Sequence, residues 1–126
     1  SKKIKIKVSK AKNIEQARSI AFTVAESPLV KTAMFGSDAN WGRILSAIGR
    51  DKTLDEIDKV QIKLNNQPLV KKGYIDSKYS EKLASKAMRK KEIFIDINLG
   101  QGQKTFEVLT SDLSEDYVLI NSDYRS

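Results

Sequence analysis

Ile4, Ile6 and Val8 alternate with Lys3, Lys5 and Lys7, and Ile93, Ile95, Ile97 and Leu99 repeat the two-residue period later in the chain. Successive side chains of a strand point to opposite faces, so this pattern fits strands with one buried side and one wet side. A sheet built from them must cover its apolar face with another layer. The intervening segments supply it. Ile14, Ala17, Ala21, Val24 and Ala25 recur at helical spacing after Asn13, a good helix cap, with Gln16 at the capping-box position. Ser27-Pro28 ends that helix, because the residue before a proline avoids the helical region. Leu29 to Phe35 reads as a short extended apolar segment.

Beyond the polar stretch from Arg50 to Lys59, read as a loop, Val60, Ile62 and Leu64 alternate with Gln61 and Lys63. Asn65-Asn66, tolerant of positive φ, then turns the chain into Leu69-Val70 as a hairpin. Asp76 or Ser77 is the expected cap of a second amphipathic helix, with Tyr79, Leu83, Ala84, Ala87 and Met88 facing the core. Gly100-Gln101-Gly102 reads as a hairpin turn into a strand beginning at Phe106 and Val108. No helix follows it, so it does not resemble a phosphate-binding loop. The expected class is α+β: a mixed or largely antiparallel sheet with helices packed on one face, in a single domain spanning residues 1–126.

The densest stretch is Phe35-Gly36-Ser37-Asp38-Ala39-Asn40-Trp41-Gly42-Arg43-Ile44, which holds the one tryptophan of the chain. Its expected form is strand, tight turn and capped helix. Gly36 supplies the turn and Asp38 or Asn40 the cap. Trp41, Ile44, Leu45 and Ile48 form the apolar stripe, closed by Gly49.

Composition removes whole classes of chemistry. The 126 residues include no Cys and no His. Disulfides, thiol nucleophiles, His-liganded zinc and an imidazole base are therefore impossible within the chain. Asp112, Asp116 and Asp123 are too weak a pattern to suggest a metal site. No apolar run approaches the roughly 20 residues needed to cross a bilayer, and the Lys-rich start is unlike a signal peptide, so a soluble cytoplasmic protein is expected. The net charge of +7 and pI near 9.6 permit an anionic partner. Most of that charge is lysine on the wet side of strands, however, and the chain lacks a basic-aromatic motif for stacking bases. A small basic RNA-binding module is thus the weaker alternative.

The run Ser27-Pro28-Leu29-Val30-Lys31-Thr32-Ala33, the decapeptide after it, and the ending Tyr117-Val118-Leu119-Ile120-Asn121-Ser122-Asp123-Tyr124-Arg125-Ser126 resemble the last third of the ornithine acetyltransferase (glutamate N-acetyltransferase, ArgJ) family. The resemblance covers essentially the whole chain. Ala39 departs from it, standing where the family often has Pro, and leaves the capping groups in place.

The resemblance implies acetyl transfer from N-acetylornithine to glutamate in arginine biosynthesis. The chain would be a C-terminal portion of the β-chain in a larger two-chain α/β enzyme. The nucleophile would be a threonine freed at the β-chain N-terminus by self-cleavage, upstream of the residues given, with its own α-amino group as base. No catalytic residue is then expected in this chain. Ser1 is not read as that nucleophile, since a Lys-rich strand follows it and the resemblance places it just after an acidic substrate-binding motif. Asn121 and Ser126 match two substrate-contacting positions of the family. An amide and a hydroxyl there can each donate and accept, and so can fix an amino-acid backbone. Arg43 and Arg125 are read as structural. No cofactor or metal is implied, and acetyl-coenzyme A is left open as an alternative donor. Expected partners are the α-chain and the rest of the β-chain, assembled as a homo-oligomer of αβ units, with neither nucleic acid nor membrane.

Overall fold

The structure, a computed structural model, describes residues 2–112 and the strand backbone of 117–122. In chain order the elements are β1 (Lys3–Ala11), α1 (Ile14–Glu26), α2 (Pro28–Phe35), α3 (Trp41–Gly49), β2 (Gln61–Leu64), β3 (Gln67–Lys71), β4 (Tyr74–Ile75), α4 (Glu81–Met88), β5 (Glu92–Asn98), β6 (Lys104–Ser111) and β7 (Tyr117–Ser122). The strands form one mixed sheet in the order β4-β3-β2-β5-β1-β6-β7. β1 runs parallel to β5 and antiparallel to β6. The helices pack on one face, so the α+β architecture expected from the alternating strands is the one observed.

The alternation partitions the sheet. Ile4, Ile6, Val8, Ile93, Ile95 and Ile97 are at most 1% exposed and lie under the helices, each worth about 1.5–3 kcal/mol of burial. Lys3, Lys7 and Lys63 on the opposite face are exposed. Ile20 and Val24 of α1, Ile44 and Ile48 of α3, and Met88 of α4 complete the core.

The segment Leu29–Phe35 is helical rather than extended. Pro28 occupies the first helical turn, where its missing N–H is no loss, and the Ser27 hydroxyl accepts from Val30 N at 3.3 Å. Ser27 therefore ends α1 and caps α2, and the run too short to show a period takes its structure from its first two residues. The decapeptide is consequently helix, turn and helix. Ser37, not Gly36, adopts the left-handed conformation (φ 55°), while Gly36 has an ordinary φ of −82°. Asn40 caps α3, accepting from Arg43 N at 3.0 Å, and Gly49 is its last helical residue.

Two further expectations need correction. The cap of α4 is Ser80, whose hydroxyl accepts from Leu83 N at 3.2 Å. Asp76 is instead spent on a local turn, accepting from Lys78 N at 2.8 Å. With the helix starting later, Leu83 is half exposed, while Ala84, Ala87 and Met88 remain buried. Gly100-Gln101-Gly102 is not a hairpin turn, because β1 lies between β5 and β6. The loop passes over the end of β1, with Gln101 N and Gly102 N both donating to Lys10 O at 2.8 and 2.9 Å. The Asn65-Asn66 hairpin forms as expected, both residues having positive φ.

Candidate functional site

On the face of the sheet turned away from the helices, residues of four strands line up in a row, and the backbone register continues it to a fifth. Lys63 of β2 is opposite Asp96 of β5, Asp96 is opposite Lys7 of β1, Lys7 is opposite Glu107 of β6, and Glu107 is opposite Asn121 of β7. Adjacent strands lie about 4.8 Å apart, so cations and carboxylates alternate at that spacing and end at Asn121. The same alternation that buries isoleucine beneath the helices sets these charges on the other side. Opposite signs face each other at the three steps from Lys63 to Glu107.

Glu107 is the most enclosed member, at 8% exposure. Its carboxylate is 3.6 Å from Lys5 Nζ, and that ammonium also lies 5.4 Å from the centre of the Phe94 ring. Two shallow depressions lie on this face. One of about 690 Å³ is lined by Asn65, Asn66, Lys90, Glu92, Phe94 and Asp96 among others. A smaller one of about 230 Å³ is lined by Ser9, Gln61, Lys63, Asn66, Asp96 and Asn98 among others. Chemically the face can hold a ligand's carboxylates and ammonium groups. It offers neither imidazole nor thiol.

Asn121 belongs to β7 and pairs with Glu107, which fixes its backbone in the register. Ser126, Ser1, Asp116, Asp123 and Arg125 lie outside the described residues. Asp112 is tied to the start of β1, accepting from Lys2 N at 2.8 Å. Among the described residues no cluster of three or more His, Cys, Asp or Glu could hold a metal, and no helix is long and apolar enough to cross a membrane.

The charged residues of the decapeptide are used within the fold. Asp38 accepts from Asn40 Nδ2 at 3.2 Å, and Arg43 Nη1 donates to Leu29 O at 3.2 Å, joining the starts of α2 and α3. Arg43 thus makes a contact within the fold.

Two polar centres were not evident in the sequence. Lys2 Nζ donates to Met34 O and Ser37 Oγ at 2.7 Å and to Met88 O at 2.5 Å, linking the ends of α2 and α4. Burial pulls its pKa below the usual lysine value, and the Asp112 carboxylate works the other way. The second centre is Asp51, at 7% exposure. Its Oδ2 accepts from Ser19 Oγ and Thr23 Oγ1, each at 2.8 Å, and its Oδ1 accepts from the Thr53 amide at 2.9 Å and hydroxyl at 2.5 Å. Burial raises its pKa, but the Thr53, Ser19 and Thr23 hydrogen bonds together outweigh it and leave the carboxyl below its ordinary value. Nearby, the fully buried Gln16 accepts from Lys12 N and donates to Thr53 O and Gln101 Oε1. It reaches Lys12 rather than the cap residue of the expected capping box. Both centres draw on residues far apart in sequence and lack any local period. They hold loops and helix ends rather than face the open side.

The ArgJ family model matches residues 1–126. The arginine biosynthesis bifunctional protein ArgJ of Methylococcus capsulatus is 46% identical over 127 residues, covering all of this chain and 31% of that protein. Its counterpart in Bradyrhizobium diazoefficiens is 44% identical over 125 residues, covering 99% and 30% respectively. Among solved structures, the arginine biosynthesis bifunctional protein ArgJ of Bacillus halodurans superposes with a TM-score of 0.84 at 31% identity, over 90% of this chain and 54% of that one. The chain thus spans about a third of the length of the curated relatives it matches. With a match running from its first residue to its last, it belongs to the ArgJ family.

Proposed function

We propose that this chain is a C-terminal portion of the β-chain of an acyltransferase of arginine biosynthesis, which moves an acetyl group from N-acetylornithine to glutamate. The observation that carries the reading is the family match over residues 1–126, joined by relatives named as arginine biosynthesis proteins at 44–46% identity. In the proposed reaction a threonine at a free amino terminus, supplied from outside this segment, attacks the acetyl carbonyl. The C–N bond to ornithine breaks, the amine leaves with the proton, and an acetyl ester remains on the threonine. The amino group of glutamate then attacks that ester and regenerates the hydroxyl. An α-amino base meets the chemistry of a chain that contributes no imidazole.

The lengths are consistent with a two-chain enzyme. This chain covers 31% of the Methylococcus relative but 54% of the solved Bacillus chain, as division of a precursor into two polypeptides of similar length would give. In this reading the segment supplies fold, contacts to the α-chain and to the rest of the β-chain, and part of the substrate pocket through Asn121 and Ser126. The register of Asn121, at the end of a row of alternating ammonium and carboxylate groups, suits substrates that carry both charges. The enzyme works as a homo-oligomer of αβ units in the cytoplasm, without metal, membrane or nucleic acid. Carboxylates interrupt the lysines of the open face, which a phosphate-binding groove would not favour. Acetyl-coenzyme A is the alternative acetyl donor of this reading. The test is to supply the full-length protein with glutamate and each donor in turn. N-acetylglutamate should form from N-acetylornithine with release of ornithine, and failure with that donor contradicts the reading.

A further inference from the structure

Among the described residues, large apolar side chains are exposed mainly on the helical layer. Leu29 is 54% exposed and Phe35 60% at the two ends of α2, Tyr74 70% on β4, and Leu83 50% on α4. Trp41, only partly buried, packs edge-on against Tyr74 with ring centres 6.3 Å apart. Phe94, also exposed, lies on the open face beneath the Lys5 ammonium. Hydrogen bonds at its two ends join α2 to α3 and to α4. Arg43 ties α3 to the start of α2, and Lys2 ties the end of α2 to the end of α4. Polar groups border the apolar ones. Asp38 lies in the turn, and the hydroxyl of Tyr79 is pushed up in pKa by burial and then by the Glu81 and Asp38 carboxylates. Exposed apolar groups with a polar border are what an interface core and its rim present before the partner is added.

We infer that the helical layer around Leu29, Phe35, Trp41, Tyr74 and Leu83 is the surface on which the remaining ArgJ polypeptide docks, and that the charged face of the sheet is left to ligand or solvent. More than two-thirds of the Methylococcus relative lies outside the segment matched here, so the family has ample chain to cover this layer. The inference rests on family membership and not on the acetyl-transfer reading. Three aromatic side chains, two of them packed together, and two aliphatic ones make it the apolar choice. The open face, with a carboxylate or ammonium at each step of its central row, would have to desolvate those charges to serve the same purpose.

Photocross-linking in the full-length protein tests it. Phe35→p-benzoylphenylalanine and Tyr74→p-benzoylphenylalanine keep an aromatic ring at each position, and Lys63→p-benzoylphenylalanine places the same probe on the open face. After irradiation the linked peptides are identified by mass spectrometry. The inference expects the probes at positions 35 and 74 to join peptides from outside residues 1–126, with a yield about tenfold above that at position 63, since only a buried interface holds a partner continuously in reach. Three results would overturn it: links from 35 and 74 to residues 1–126 of a second copy, no links there above the yield at 63, or preferential linking at 63. None of these readouts depends on catalytic activity.

Discussion

Asn121 lies directly opposite Glu107 in the register of β6 and β7. Glu107 is itself nearly buried and paired with Lys5, so the backbone of Asn121 is set beside a carboxylate that is already fixed. On the other side of Glu107 stands Lys7. Glu107→Lys would therefore gather three cations, and like charges facing one another across strands are unfavourable by up to about 1 kcal/mol per pair. The full-length variant should unfold at lower urea than the parent. Added salt should narrow the gap by screening. A gap independent of salt would point to packing rather than charge.

Asp51 joins α1 to the loop that follows α3, through Ser19, Thr23 and Thr53. Asp51→Ala should destabilise the protein by about 3 kcal/mol at neutral pH, because the four donors lose a charged acceptor. The folded carboxyl titrates below its ordinary 3.8. Its stabilising effect is thus complete above the unfolded value and lost as the pH falls through the lower, folded one. Urea midpoints at pH 7 and near pH 3 should show the parent losing more stability in acid than Asp51→Ala. Equal losses would remove the carboxylate from the account.

Gly102 passes so close to β1 that an added Cβ would overlap Ala11 O and lie 2.7 Å from Lys12 Cα. Neither is a flexible side-chain end that could move aside. Gly102→Ala should cost about 1–3 kcal/mol through forced backbone shifts. Gly42→Ala meets only Asn40 Oδ1 at 3.4 Å and should cost far less. Thermal unfolding of the two variants side by side checks the difference.

Lys2 offers its three ammonium protons to Met34 O, Ser37 Oγ and Met88 O. Lys2→Met keeps the aliphatic stem but leaves the helix-end carbonyls without this partner, a loss of about 2–3 kcal/mol. Lys2→Arg, whose planar fork does not reproduce a compact three-way donor, should restore only part of it. Hydrogen exchange at the ends of α2 and α4 should quicken in both variants, more so with Met.

The sheet was legible because Ile4, Ile6, Val8, Ile93, Ile95 and Ile97 carry a period that only strands share, and Asn13 and Ser27-Pro28 punctuated α1 unambiguously. The seven apolar-rich residues from Leu29 to Phe35 fit strand or helix equally, and only Ser27, serving two helices at once, decides between them. The Gly100-Gln101-Gly102 loop looked like a hairpin because sequence neighbours usually pair. Here β1, about ninety residues earlier, enters between β5 and β6. Lys2 and Asp51 draw their partners from across the chain, so no local pattern announces them. The charge row on the open face could be glimpsed as alternating lysines in β1. Its carboxylate half needed the register. The assignment of Asn121 and Ser126 came from resemblance, not from spacing.

The most direct measurement of the central claim is transfer of labelled acetyl from N-acetylornithine to glutamate by the full-length protein and by its Asn121→Ala variant, with both substrate concentrations varied. The account predicts turnover by the parent and a loss of about 1–3 kcal/mol in kcat/KM for the variant, the size expected when a bound polar group loses its partner. It also predicts unchanged thermal stability. A parent that produces no N-acetylglutamate contradicts the proposed activity, and a variant that matches an active parent contradicts the place of Asn121 in the pocket.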